Sequence, residues 1–295
     1  VICLCDMMLV TTGLVASYIE RYRCGQWSHD VHLPSFSPER IAIVACLTGA
    51  FVQYLNQQTE ESVLTVLVLG KLFTDSLMWI WNPTWLGEFP VVYSNLPTIV
   101  CLVLAICLPY GLTALANALQ PGFLDVESVV FSVILTVITV IALICWSLSV
   151  KGEHGEIQDL YGPSLSNPMR ILVFGLFNAI MEEIEFRGLM IASLYPNPIQ
   201  ESEAGYPLSF SKILASSEGV IAVSIQCILF GFDHALNGFP TGPSGFVLSA
   251  GWAFALGLLR LKSNGIALTY IIHVIADVTI GFLIRASAKP SKKWA

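Results

Sequence analysis

The sequence predicts an all-α fold, a polytopic bundle of about eight or nine transmembrane helices. Of its 295 residues, 55% are hydrophobic and only 12% are charged, whereas about 25% are charged in a typical soluble domain. Apolar runs long enough to cross a hydrocarbon core of ~30 Å recur from one end of the chain to the other. Proline, glycine and asparagine cluster between these runs, as expected of loops that join helices.

Nine apolar segments are candidate spans. They are residues 1–19, 41–56, 62–80, 96–118, 128–150, 170–194, 219–236, 246–261 and 266–285. Segments 41–56 and 246–261 are short, and one of them could be re-entrant, so the total is eight or nine. Segment 1–19 carries Asp6 and lacks a basic leader, and we expect a helix there rather than a cleaved signal.

The lysine and arginine positions predict the orientation of these spans, because cytoplasmic loops carry an excess of positive charge. With nine spans and a cytoplasmic C-terminus, nine basic residues fall inside and three fall outside. The outside residues are Lys212, Arg260 and Lys262, and the last two fit this scheme least well. The net charge of −7 comes without a basic stripe, which argues against nucleic acid as a partner.

Charged and polar residues cluster at helical spacing in three apolar segments after residue 165. The patterns are Glu182-Glu183-Ile184-Glu185-Phe186-Arg187, Phe230-x-x-x-His234 and His273-x-x-x-Asp277. A charged group at membrane depth is energetically costly, so such residues usually face a functional site or a partner.

Within the first pattern, Glu183 and Arg187 lie four residues apart, on one face of a helix. The acid precedes the base, which is the better order for an ion pair. Glu182 is turned by about 100° from Glu183 and remains available for chemistry. The alternative is a purely architectural network of ion pairs.

The two histidines also have structural explanations. A lone intramembrane histidine such as His234 more often bonds a neighbouring helix than catalyses a reaction. His273 and Asp277 can form a local hydrogen bond that makes a buried polar pair tolerable. Three separate structural explanations on three helices are less economical than one site, so the patterns together predict a catalytic site.

The three patterns, in this order on successive apolar segments, resemble the CPBP family of intramembrane proteases. This family includes the type II CAAX prenyl endopeptidases and bacterial relatives of the abortive-infection (Abi) type. The resemblance covers residues 166–285 and divides the chain into three parts. They are N-terminal transmembrane helices of unknown role (1–165), a CAAX-protease-like catalytic domain (166–285) and a basic C-terminal tail (286–295).

The resemblance implies an endopeptidase similar to CAAX prenyl protease 2 that hydrolyses a peptide bond near the bilayer surface. It implies that Glu182 and His234 activate a water molecule, and that His273 and Asp277 stabilise the oxyanion. A buried glutamate can accept a proton from such a water near neutral pH. The residues that would support the site structurally are Glu183, Arg187 and Phe230.

The implied partners are the lipid bilayer and a membrane-embedded or lipidated peptide or protein substrate. The segment Met181 to Gly188 is especially similar to bacterial members. This similarity favours a peptide or membrane-protein substrate over a prenylated C-terminus. It also favours a multi-pass protein of the bacterial plasma membrane with a cytoplasmic C-terminus.

Asp277 departs from the most familiar pattern, because the prenyl proteases typically carry Asn at this position. An ionised Asp cannot donate a hydrogen bond to an oxyanion. It can orient His273, be protonated through burial, or bind a metal. A divalent metal such as zinc would have four candidate ligands, which are Glu182, His234, His273 and Asp277. Their spacing is not the HExxH spacing of zincins, and we favour a metal-free mechanism.

Two other functions are compatible with the same residues. The first is a non-proteolytic scaffold or immunity protein that keeps the fold. The second is a proton-coupled transporter that uses Glu182, His234 and Asp277 as a relay. The motif helices have no repeat in the N-terminal half, which argues against an inverted-repeat transporter.

Overall fold

A computed structural model describes residues 8–13, 15–16, 19, 38–81, 90–149, 167–195, 209–237 and 242–287. Every regular element among these residues is a helix, so the predicted all-α class is confirmed for this part of the chain. Residues 288–295 of the predicted basic tail, most of segment 1–19 and the loop rich in proline and tryptophan around residue 85 lie outside the described residues. The first two residues of the predicted tail belong to the last helix, Ala267–Ser287.

The described helices occur along the chain in the following order. The first half contains α1 (Pro38–Gln57), α2 (Glu60–Trp81), α3 (Pro90–Cys107), α4 (Gly111–Ala118) and α5 (Val126–Ser149). The second half contains α6 (Pro168–Glu182), a π-helical segment (Glu183–Met190), α7 (Ile191–Leu194), α8 (Phe210–Ala215), α9 (Ser217–Asn237), α10 (Gly242–Ser263) and α11 (Ala267–Ser287).

Four helices in the described part are long and apolar enough to cross a membrane. These stretches are Val126–Leu148, Ser217–Ala235, Gly242–Ser263 and Ala267–Ala286, and they match the predicted spans 128–150, 219–236, 246–261 and 266–285. The total of eight or nine spans is not confirmed. Segment 246–261 is longer than expected, because α10 extends over 22 residues.

The predicted span 96–118 is interrupted. Helix α3 ends at Cys107, and Tyr110 takes a left-handed conformation with φ of 60° before α4 begins at Gly111. A Cβ atom at Gly111 would lie 2.0 Å from the carbonyl oxygen of Ala105, so only glycine fits this sharp turn. The two resulting helices are each shorter than the predicted span.

Close packing of α6 against α11 brings the motif residues of these helices together. Gly175 faces Val278, and a Cβ atom at Gly175 would lie 2.8 Å from the Val278 side chain. Gly281 faces Ile171 in the same way, at 2.6 Å. Small residues let helix backbones approach closely, and this approach places the end of α6 beside the middle of α11.

The linker between α4 and α5 is bound to the turn between α10 and α11. The Phe123 amide donates to the Ser263 carbonyl at 2.6 Å, and the Ile266 amide donates to the Gln120 carbonyl at 3.0 Å. Lys262 pairs with Asp125 and Glu127, both at 3.1 Å. Because Lys262 is paired within the protein, it is a poor marker of membrane topology. This pairing accounts for its misfit to the predicted distribution of positive charge. The orientation of the spans itself stays a prediction.

Asp125 caps the start of α5. Its carboxylate accepts the Ser128 amide at 3.1 Å and the Ser128 hydroxyl at 2.6 Å, as an N-cap acid does. Partial burial acts to raise the pKa of Asp125, but the hydrogen bonds from Ser128 and Lys262 outweigh it and hold this pKa below its usual range. The cap is therefore ionised at neutral pH.

Candidate active site

The first motif lies where the helix changes its winding. Residues 183–190 form a π-helix, whereas the sequence predicted a regular α-helix over 170–194, so the prediction is wrong in this detail. Single π-helical turns inside α-helices are frequent at functional sites. The predicted ion pair still forms, with 3.1 Å between Arg187 Nη1 and Glu183 Oε1, and both side chains are fully buried.

His273 of α11 lies between the two consecutive glutamates. Its Nδ1 atom is 2.7 Å from Glu183 Oε1, and its Nε2 atom is 3.4 Å from Glu182 Oε2. Asp277 Oδ1 lies 3.7 Å from the same Nε2 atom. Glu183 therefore does more than neutralise Arg187, because it also anchors the histidine ring.

The exposure of the two glutamates differs. Glu182 keeps 18% of its side-chain surface exposed, whereas Glu183 keeps none. Glu182 is thus the more accessible of the two, and the division of labour, in which Glu183 supports the site and Glu182 is available for chemistry, stays a prediction.

Aromatic rings surround the Arg187 guanidinium. Its Cζ atom lies 4.5 Å from the centroid of Phe230 and 5.7 Å from that of Trp252. Both distances are within the range of cation–π attraction. The backbone carbonyl of Arg187 accepts a hydrogen bond from Arg260 Nε at 3.1 Å, so Arg260, like Lys262, is used inside the protein.

His234 is oriented by its own motif. Its Nδ1 atom lies 3.1 Å from the Phe230 carbonyl oxygen. Because a carbonyl only accepts, Nδ1 donates and Nε2 is the nitrogen left for other partners. The ring stacks on Phe230 at 4.2 Å between centroids, and it is close enough to Glu182 to interact electrostatically.

Two residues at this site were missed from the sequence. The Nδ2 atom of Asn178 donates to Glu182 Oε1 at 2.8 Å and to Asp277 Oδ2 at 3.1 Å. A signal was present, because Asn178 is a polar residue one turn before Glu182 in an apolar segment. The other residue, Trp252, packs edge-on against His273 at 4.9 Å, and nothing in the pattern of α10 distinguishes it.

A pocket with a cavity volume of about 100 Å³ opens in front of the two histidines and Asp277. Its other walls are mostly apolar and come from α5, α9, α10 and α11. The lining residues from α5 are Thr139, Ala142, Leu143 and Trp146. Only 17% of the most apolar 18-residue stretch of α5 is buried inside the protein. This helix therefore presents most of its surface to lipid and its remaining face to the pocket.

The proposed metal ligands do not form a ligand set in this structure. Among the described residues, no group of three or more His, Cys, Asp or Glu side chains is placed to hold a metal ion. We therefore derive no step that passes through a metal.

Residues 164–279 match the family model described as Rce1-like, type II CAAX prenyl endopeptidase. The matched residues include all three motifs and the side chains around His273. Residues 164–279 are therefore similar to this family of proteases. The predicted resemblance to CPBP proteases is thereby confirmed, and the chain is an integral membrane protein. No curated protein and no solved structure matches the chain.

A buried ionic cluster connects the N-terminal helices to the matched segment 164–279. Lys71 of α2 pairs with Asp75, four residues later in the same helix, at 2.6 Å, and it also pairs with Glu185 of the π-helical segment. Thr98 of α3 donates to the other oxygen of Glu185 at 3.3 Å. The N-terminal helices thus supply the counter-ion for one acid of the first motif.

We expect Lys71→Met to destabilise the protein by about 3 kcal/mol, because it leaves two largely buried carboxylates without their cation. The thermal midpoint of the purified protein in detergent measures this loss. Lys212→Met, at an exposed position on α8, is the matched control and should leave the midpoint unchanged. Equal midpoints for both variants would show that the cluster contributes nothing to stability.

Proposed function

We propose that this protein is an intramembrane endopeptidase that hydrolyses a peptide bond near the bilayer surface. The observation that carries this proposal is the position of Glu182 beside His273 and Asp277, two residues that line the pocket. Asn178 holds Glu182 Oε1 at 2.8 Å, while Glu182 Oε2 faces His273 Nε2 at 3.4 Å. Glu182 is the carboxylate to which we assign the role of proton acceptor.

In the first step, Glu182 acts as general base for a water molecule that attacks the substrate carbonyl. His234 shares this task, because its Nε2 atom is free to accept a hydrogen bond from the same water. The proton taken by Glu182 is then delivered to the amine that leaves. General acid–base catalysis of this kind contributes about 10²–10⁴-fold to a rate.

His273 supports the oxyanion that forms on the carbonyl oxygen. In its protonated form, His273 donates from Nδ1 to Glu183, which fixes the ring, and its Nε2–H points towards Glu182, Asp277 and the pocket. One preorganised donor at an oxyanion lowers the barrier by about 3 kcal/mol. Asp277 cannot donate when ionised, and its role in this chain is to orient His273 through Oδ1.

The substrate is a membrane-associated peptide with an apolar group next to the cleaved bond. The support for this proposal is the pocket, in which Leu143, Trp146 and Leu248 face the histidines. A helix that borders lipid forms one wall, so a substrate can approach from within the bilayer. The family description names prenyl endopeptidases, and a prenyl chain is one group that would fit.

A panel of three peptides tests this function in proteoliposomes. The panel contains a farnesylated CAAX peptide, the same peptide without the lipid, and a single-span apolar peptide. We expect the wild-type protein to cleave at least one of them and to prefer a membrane-associated form over the soluble one. A folded protein that cleaves none of the three would instead support the scaffold function.

We expect Asp277→Asn to keep activity within about tenfold of wild type, a barrier change of about 1.4 kcal/mol. Asn can accept from Asn178 through its carbonyl oxygen and offers an amide donor to the oxyanion. Steady-state rates on the best peptide of the panel measure the effect. Stoichiometric zinc in the active enzyme, together with loss of activity that added zinc restores, would overturn the metal-free mechanism.

A further inference from the structure

Asn178 joins the two carboxylates of the site through one nitrogen atom. Both hydrogens of its Nδ2 group are used, one on Glu182 Oε1 at 2.8 Å and one on Asp277 Oδ2 at 3.1 Å. The two acids belong to different helices, α6 and α11. Both acids also approach His273 Nε2, Glu182 at 3.4 Å and Asp277 at 3.7 Å. The His273 ring and the Asn178 amide therefore lie between the two acids.

Such an arrangement needs a donor between the acids. Two carboxylates beside one another repel at low dielectric, and each is stabilised when it accepts a hydrogen bond. His273 cannot supply all these bonds, because its Nδ1 atom bonds Glu183. The amide of Asn178 supplies one bond to each acid and closes the gap between α6 and α11.

We propose that Asn178 is a positioning residue that fixes Glu182 and Asp277 for catalysis. By holding Glu182 Oε1, it leaves Oε2 as the oxygen that faces His273 Nε2, at 3.4 Å. By holding Asp277 Oδ2, it keeps Oδ1 towards His273. This inference rests on the proposed peptidase function and adds to it a residue outside the three motifs.

The position also explains how the chain tolerates Asp277. Residue 277 is an acid in this chain, and the side-chain amide of Asn178, on the facing helix α6, lies between the carboxylates of Glu182 and Asp277. Replacement of Asn178 by Asp would place a third carboxylate beside those of Glu182 and Asp277. Replacement by Ala would remove both hydrogen bonds.

The first test compares Asn178→Ala with wild type on the peptide that the wild type cleaves fastest. We expect kcat to fall by about 10–100-fold, the effect of losing a hydrogen bond to a charged group, while KM stays within about threefold. The kcat of Asn178→Asp should fall further than that of Asn178→Ala. A kcat equal to that of wild type, or a loss confined to KM, would overturn the proposal.

Asn167→Ala is the matched control, because it makes the same substitution at the start of the same helix. Asn167 caps α6 by accepting the Arg170 amide at 2.9 Å and lies about three turns from the site. We expect this variant to lower the thermal midpoint but to leave kcat unchanged. A loss of kcat equal to that of Asn178→Ala would mean that destabilisation of α6 alone accounts for the effect.

A second test does not need activity. Thermal midpoints of Asn178→Ala, Asp277→Ala and the double variant form a cycle, in which residues in contact give non-additive losses. We expect the double variant to lose less than the sum of the single variants, and additive losses would overturn the proposal. A wild-type protein inactive on every peptide would contradict the proposed function, and the cycle would still decide whether Asn178 holds Asp277.

Discussion

Glu182→Gln is expected to reduce peptide cleavage by about 10²–10⁴-fold, the range for loss of a general acid–base group, with little change in stability. Gln has the shape of Glu and can still accept the hydrogen bond from Asn178, but it cannot take a proton from water. Cleavage in proteoliposomes and the thermal midpoint in detergent measure the two effects. Activity within a few-fold of wild type would show that Glu182 is not the base.

Glu185→Gln is the matched control for this change. It alters the same residue type three positions later, but Glu185 faces Lys71 and Thr98 instead of the histidines. We expect this variant to lose stability and to keep the rate per folded molecule. If both variants lost activity equally, the π-helical segment as a whole and not Glu182 would be required.

Arg187→Ala should lower the stability of the folded protein by about 3–5 kcal/mol, because it leaves Glu183 buried without its cation. The variant also loses the contacts of the guanidinium with Phe230 and Trp252. Yield of folded protein and the thermal midpoint measure the change. The exposed Arg285 of α11 provides the control, since Arg285→Ala should leave both unchanged.

Glu183→Ala should destabilise by a similar amount and also slow the reaction. Removal of this acid strands Arg187 and takes away the partner of His273 Nδ1. The two variants therefore differ in the rate per folded molecule, which should fall further for Glu183→Ala. Normal yields and unchanged midpoints for both would contradict the supporting role of the pair.

The contacts made within one helix were largely predictable from the sequence. The i, i+4 spacing predicted the ion pair Glu183–Arg187, and this pair forms. Lys71 and Asp75 have the same spacing and also form a pair. Long uninterrupted runs of apolar residues predicted the four helices that can span a membrane. Each of these features depends on neighbours a few residues away, which a sequence pattern records directly.

Contacts between distant segments were not predictable. Glu185 meets Lys71, which is 114 positions away, and Trp252 donates to Thr139 at 3.0 Å from another helix. The π-helical winding has no signal in the spacing of the apolar residues. Asn178 is the exception, because a lone amide one turn before a motif acid in an apolar segment is visible in the sequence.

The sequence left the role of the N-terminal helices unknown. The structure gives α5 a wall of the pocket and α2 the cation of the buried cluster. Neither role follows from the residues of these helices alone, because both depend on which helix of the matched domain lies opposite. That the N-terminal part completes the site is therefore a proposal from packing.

The central claim is hydrolysis of an internal peptide bond by water that Glu182 activates. Mass spectrometry of the products formed in ¹⁸O-labelled water, with wild-type protein in liposomes and the best peptide of the panel, tests it most directly. The account predicts two fragments, one ¹⁸O atom in the new carboxyl group, and no fragments from Glu182→Gln. Intact peptide after incubation with folded wild-type protein, or the same labelled fragments from Glu182→Gln, would contradict it.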